Sequence, residues 1–149
     1  MNRDRLLKLA DLLEADAAND KGIKFDLRYV AIRSEWLDDH TAERDFAPAD
    51  VVPFDCGTAA CAVGLAVVSG AFKEEGLTYR VSEYFGVVPV FGRHDGWGAA
   101  EEAFFELTEE QSDFLFQSTQ YPRGLSSGAD GERYVAQRIR DFVAGKVEA

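Results

Sequence analysis

The run Thr58-Ala59-Ala60-Cys61-Ala62-Val63-Gly64-Leu65-Ala66-Val67-Val68-Ser69-Gly70 decides how this chain folds. Every residue from Ala59 to Val68 is apolar or glycine, so the run predicts a helix from about Thr58, acting as its cap, to Gly70. A helix that is apolar on all sides belongs at the centre of a domain. Upstream, Asn2 is placed to cap a helix whose apolar positions Leu6, Leu9, Ala10, Leu13 and Ala17 recur at helical spacing, ending near Asn19-Asp20-Lys21-Gly22. Ile23, Phe25, Leu27 and Tyr29 alternate as in a strand, whereas Val30-Ala31-Ile32 breaks the alternation, and both conformations stay open there. The polar run from Arg33 to Asp50 reads as a surface connection, and Val51-Val52-Pro53-Phe54 as an extended approach to the core.

Downstream, Leu77, Tyr79 and Val81 alternate, and Val87-Val88-Pro89-Val90-Phe91 is β-rich between glycines, which predicts a small hairpin with Pro89 on an edge strand. Arg93 to Gly98 has the composition of a turn. A short helix is expected from Ala99 to Glu106, and Thr108-Glu109-Glu110-Gln111 is a capping box opening a helix with Phe114, Leu115 and Phe116. After a Gly/Ser-rich loop, Asp130 is the expected cap of a last helix carrying Tyr134, Val135, Ile139, Phe142 and Val143, stopped at Gly145. The chain therefore reads as mainly α, an α+β arrangement whose β part is a minor hairpin. With 149 residues, 46% hydrophobic and 12% aromatic, it has the material for one compact domain over 1–149.

The formal charge is −11, which disfavours nucleic acid and anionic membranes as partners. The first residues mix both charge signs rather than forming a secretory signal. The longest uncharged stretch, Cys56 to Phe72, is too short to span a bilayer, so a cytoplasmic protein is expected. The charge is uneven. Between Arg93 and Arg123 lie Asp95, Glu101, Glu102, Glu106, Glu109, Glu110 and Asp113 with no lysine or arginine, interleaved with aromatic residues. Such a strip is either the solvated outer face of packed helices or a docking surface for a basic protein, with Glu101, Glu102, Glu106, Glu109, Glu110 and Asp113 as its candidate contacts.

Cys56 and Cys61 bracket the start of the expected helix, where unpaired N–H groups favour a thiolate. A reversible disulfide, a nucleophile and a metal pair are the functional readings, and core packing is the structural one for Cys61. Four residues separate the cysteines and both histidines are remote, so neither a metal nor another cofactor is expected. Asp38, Asp39, His40 and Glu43 read as a solvated acidic face.

Asp55-Cys56-Gly57 followed by Ala59-Ala60 resembles the nucleophile segment of bacteriocin-processing cysteine peptidases of the papain-like class, which implies Cys56 as nucleophile. His94, the only histidine downstream, is then its candidate base, although it falls in a turn sequence and no glutamine lies just upstream of Cys56. Cys56-Gly57-Thr58-Ala59-Ala60-Cys61-Ala62-Val63-Gly64 with Leu107-Thr108-Glu109-Glu110-Gln111 and Leu115-Phe116 resembles a group of small uncharacterised bacterial and phage-encoded proteins. They share a C-G-T-x-x-C-x-x-G helix entry, an L-T-x-x-Q-x-x-x-L-F segment and a basic-amphipathic final helix, here Arg138-Ile139-Arg140-Asp141-Phe142. That resemblance implies a recurring fold and no activity. Two functions follow as expectations: a non-enzymatic acidic interaction or regulatory protein, or a cysteine-dependent hydrolase or thiol redox switch using Cys56.

Overall fold

The Asn2 side-chain oxygen accepts the Arg5 N–H at 3.2 Å and starts helix α1 (Arg3–Ala17), with Asp4 in the first turn complementing the helix dipole. The computed structural model describes residues 1–19, 24–27, 31–33, 58–82, 86–96 and 98–149. The expected connection over 33–50 falls outside the described residues from 34 onward, as do the approach at 51–54, the cluster around His40, and Cys56.

Helix α1 buries Leu6, Leu9, Ala10, Leu13 and Asp16 and packs chiefly on the last helix, α5 (Gly128–Val143), which buries Val135, Ala136, Ile139, Phe142 and Val143. The two run antiparallel, because Arg3 near the start of α1 donates to the Val143 carbonyl while Arg133 near the start of α5 donates to the Ala17 carbonyl. Midway, Arg140 Nη2 bridges Asp11 at 2.7 Å and Glu14 at 2.8 Å. Asp130 is not the cap of α5. Ser127 occupies that position without a side-chain capping bond, and Asp130 lies in the first turn, paired with Arg133 at 3.0 Å.

The central run is divided. Thr58–Ala60 forms a strand, and the helix begins later, at Ala62, and ends at Val68. The strand is the middle one of a three-stranded sheet: β1 (Lys24–Phe25) pairs with it in parallel and β2 (Ala31–Arg33) antiparallel, so it is β3. Alanine favours helix, but backbone hydrogen bonding on both sides overrides that small preference. Cys61, in extended backbone, takes the capping position expected of Thr58, and its Sγ accepts the Gly64 N–H at 3.3 Å. Ala62 to Val67 are all buried, as expected of a central helix, here α2 (Ala62–Val68). Beyond β1, the Leu27 N–H donates to the Ser126 carbonyl and ties the sheet to the segment that leads into α5.

The expected hairpin is present as β4 (Leu77–Ser82) and β5 (Gly86–Phe91), with Leu77 opposite Phe91. A third strand, β6 (His94–Asp95), follows a turn at Gly92, whose φ of 60° suits glycine. His94 is therefore in a strand rather than a turn, and β5 is the middle strand rather than an edge. Pro89 is tolerated because its carbonyl, which accepts the Gly96 N–H at 3.1 Å, points towards the two-residue β6. The N–H that proline lacks would point to that same side, beyond the end of β6.

Helix α3 (Ala99–Phe105) leads to α4 (Glu109–Phe116), opened by the capping box: Thr108 Oγ1 accepts the Gln111 N–H at 3.3 Å and Gln111 Oε1 accepts the Thr108 N–H at 3.1 Å. A 3-10 turn at Ser118–Gln120 connects α4 towards α5. The protein is mainly α with two small sheets. Its core holds an aromatic cluster in which Phe104 meets Phe72, Phe91 and Phe105 edge to face, with centroids 5.4, 5.2 and 4.9 Å away. The Arg5 guanidinium lies 4.2 Å from the Phe104 ring centre and pairs with Glu75 at 3.0 Å, so α1 closes over this cluster.

Candidate functional site

The six carboxylates of the acidic strip separate into two groups once α3 and α4 are in place. Glu101 turns inward: its Oε1 accepts the Ser112 hydroxyl at 3.0 Å, joining α3 to α4, and burial pushes its carboxyl above the usual range. Glu102 is half-buried beside Gly98. Glu106 is in the left-handed conformation that ends α3, and its Oε1 accepts from Asn2 Nδ2 at 3.2 Å. Glu109 and Glu110 occupy the exposed first turn of α4, where the helix dipole favours them, and Asp113 is exposed one turn further on. None of these last three forms an ion pair among the described residues.

The cysteines give a different picture from an activated thiol pair. Cys61 is buried and free, and removal from water pushes its thiol up to about 12, with the Gly64 N–H opposing that shift and the Glu101 charge adding to it. It is therefore a neutral capping group at physiological pH. In a Cys56→Ser variant, the folded chain is expected to take up no thiol reagent at about pH 8, and to react at Cys61 only after unfolding. Reaction of the folded variant at the rate of a free thiol would show that the site is open. Cys56 lies outside the described residues, so its distance to His94 does too; His94 itself is half-buried in β6.

No family model, curated protein or solved structure matches this chain. Among the described residues, no group of three or more His, Cys, Asp or Glu side chains is arranged to hold a metal ion. No helix among them is long and apolar enough to cross a membrane.

Two features went unnoticed in the sequence. The first is a carboxyl pair inside the α1–α5 interface. Asp16 and Glu132 are 7% and 1% exposed, and they share a hydrogen bond. Burial first, and then the neighbouring Asp16 charge, push Glu132 up to about 9, against a weaker opposing pull from Arg133. Among the described residues, Glu132 Oε1 has no hydrogen-bond partner.

The second is a groove of about 780 Å³ between the end of α4, the 3-10 turn and α5. Arg138 forms part of its wall, its guanidinium 3.8 Å from the Phe114 ring centre and 4.6 Å from that of Tyr121. Nη1 donates to the Gln120 carbonyl at 2.7 Å, and the Tyr121 hydroxyl donates to the Leu115 carbonyl. Planar guanidinium stacking on two rings fixes this side chain in a way a lysine would not reproduce.

Proposed function

We propose that this chain is a non-enzymatic acidic interaction protein that docks a basic partner on the outer face of α4. The observation that carries this reading is the state of its carboxylates. Glu75, Asp95, Asp11, Glu14 and Asp141 each hold an arginine or lysine of the same chain. Glu109, Glu110 and Asp113 are exposed on one helix and hold none among the described residues. Their charge is thus left to act on something outside the fold, where it raises the rate and selectivity of association with a basic surface.

The test compares the immobilised wild-type chain with a Glu109→Gln, Glu110→Gln, Asp113→Asn variant. A second variant, Asp4→Asn with Glu74→Gln and Glu148→Gln, removes three exposed carboxylates elsewhere and controls for overall charge. Basic proteins captured by wild type at about 50 mM salt should be released by about 500 mM, since exposed charges are screened over that range. The α4 variant should retain about tenfold less of them, while the control retains them. Capture that ignores salt, or equal loss in both variants, would remove α4 as the docking face.

A further inference from the structure

Strand β4 is an outer strand of its sheet, in which β5 is the middle one. The Pro89 carbonyl faces β6, so the neighbouring Val88 and Val90 face β4, and their partners Arg80 and Thr78 make the ladder to β5. The main-chain groups of Leu77, Tyr79 and Val81 therefore point away from β5. The Leu77 N–H accordingly donates outside the ladder, to the Phe72 carbonyl at 3.2 Å. Among the described residues, no main-chain hydrogen bond reaches Tyr79 or Val81 on that outer side. Thr78, Tyr79 and Arg80 are all exposed, Tyr79 at 41%. Successive residues of a strand point to opposite faces, so exposure of all three leaves the middle of β4 uncovered on both. Proteins ordinarily blunt such an edge with a proline, a bulge or a charge. Leu77–Ser82 has no proline, and it pairs with β5 at every position without a bulge. Its one charge, Arg80, is held by Asp95 at 2.7 Å. In a chain with 27 acidic side chains this strand carries none, so two copies can approach here without carboxylate meeting carboxylate.

We propose that β4 pairs antiparallel with β4 of a second copy of this chain, joining their two sheets edge to edge. The interface is separate from the acidic face of α4 and does not depend on it. The outward-pointing groups fix the register. A two-fold axis at Tyr79 sets that residue against its own counterpart, each N–H donating to the other's carbonyl, and lets the Val81 N–H donate to the Leu77 carbonyl of the second copy. The two exposed tyrosine rings then meet as a cross-strand pair, and Thr78 faces Arg80. A slide of two residues one way opposes Arg80 to Arg80. The slide the other way loses the Val81 bonds, because it would need a Leu77 N–H that Phe72 already holds. The other outer strand, β6, has only two residues, so this sheet offers one long edge and the assembly closes as a dimer. Six residues a side fall well below the about 20–30 of a standard interface, which makes the dimer weak, with a Kd of about 10–500 µM.

Sedimentation velocity of the full chain from about 5 µM to about 1 mM tests this, and should show monomer passing to dimer with no larger species. Raising salt from about 50 mM to about 500 mM should tighten the dimer by screening the repulsion between two chains of charge −11, the reverse of its effect on a basic partner at α4. Amide hydrogen exchange at Tyr79 and Val81 should slow about twofold or more over the same concentration range. Tyr79→Pro removes the central N–H, which β5 does not use, and should leave the chain folded and monomeric throughout. Thr78→Lys, at an exposed position, sets a lysine against Arg80 of the second copy. It should weaken the dimer about threefold or more, and decides the matter should Tyr79→Pro fail to fold. A monomer at every concentration, open-ended assembly, dissociation by salt, or a dimer indifferent to Thr78→Lys or to a folded Tyr79→Pro would overturn the proposal. So would slow exchange at Tyr79 and Val81 that ignores concentration, which would mean that another part of the same chain covers this edge.

Discussion

Phe104→Ala is expected to lower the unfolding free energy by about 3–5 kcal/mol, the range for emptying a fully buried aromatic site. The ring has no exposed surface, and its neighbours approach from several elements: Phe72 just after α2, Phe91 at the end of β5, Phe105 on the same helix, and the Arg5 guanidinium above it. No single element can close the space without dragging another out of place. Loss of the edge-to-face contacts adds to the lost burial. Chemical denaturation should show a lower midpoint with an unchanged slope, and the thermal midpoint should fall by about 10 °C. Arg5 keeps its hydrogen bond to the Phe104 main-chain carbonyl in this variant, so the loss belongs to the ring. A change below about 1 kcal/mol would mean that the cluster repacks freely and does not hold α1 against the hairpin.

Glu132→Gln should stabilise the protein above neutral pH and remove a slope from its pH profile. The folded state holds the Glu132 proton until about pH 9, whereas the unfolded chain releases it near the ordinary value of 4.5. Protonation of the folded form is thus favoured, and stability is greatest below about pH 4.5 and falls as pH rises, by up to about 1.4 kcal/mol per unit, until about pH 9. Glutamine has no proton to lose and can donate to the Asp16 carboxylate from the same position. Thermal midpoints of the wild type should therefore drop between about pH 5 and about pH 8 relative to the variant, with the order of the two meeting or reversing near pH 4. Parallel profiles would show that Glu132 is ionised in the fold.

Much of the helical part was legible because local signals agreed. Asn2, the Leu6-Leu9-Leu13 stripe and the Thr108–Gln111 box each specify a start or a face without help from distant residues. What failed were places where distant pairing decides. Ala59 and Ala60 are apolar and helix-favouring, yet they lie in a strand between two others, and Lys24–Phe25 and Ala31–Arg33 are far from them in sequence. Pro89 sits mid-sheet because β6 is too short to need its N–H, and that length is not visible in composition.

The buried acids did leave a trace. Asp16 follows Leu13 by three positions on the apolar stripe of α1, and Glu132 precedes Val135 and Ala136 by three and four on that of α5. A carboxylate on an apolar stripe is the readable sign of a buried one. The Arg138 stack joins residues 114, 121 and 138 through a turn whose geometry no spacing rule gives. The acidic strip was visible as charge, but only the fold separates Glu101 and Glu106, which are engaged within the chain, from Glu109, Glu110 and Asp113, which are not.

The antiparallel embrace of α1 and α5 joins groups 116 to 140 positions apart. On the ribosome, α1 is made before every other described element and its main partner after all of them. The leucine stripe of α1 must then wait, exposed or transiently covered, until α5 has emerged. Such long-range closure slows folding and leaves an adhesive surface on the nascent chain. Crowded synthesis, more than the stability of the finished fold, is where this architecture is most vulnerable to aggregation.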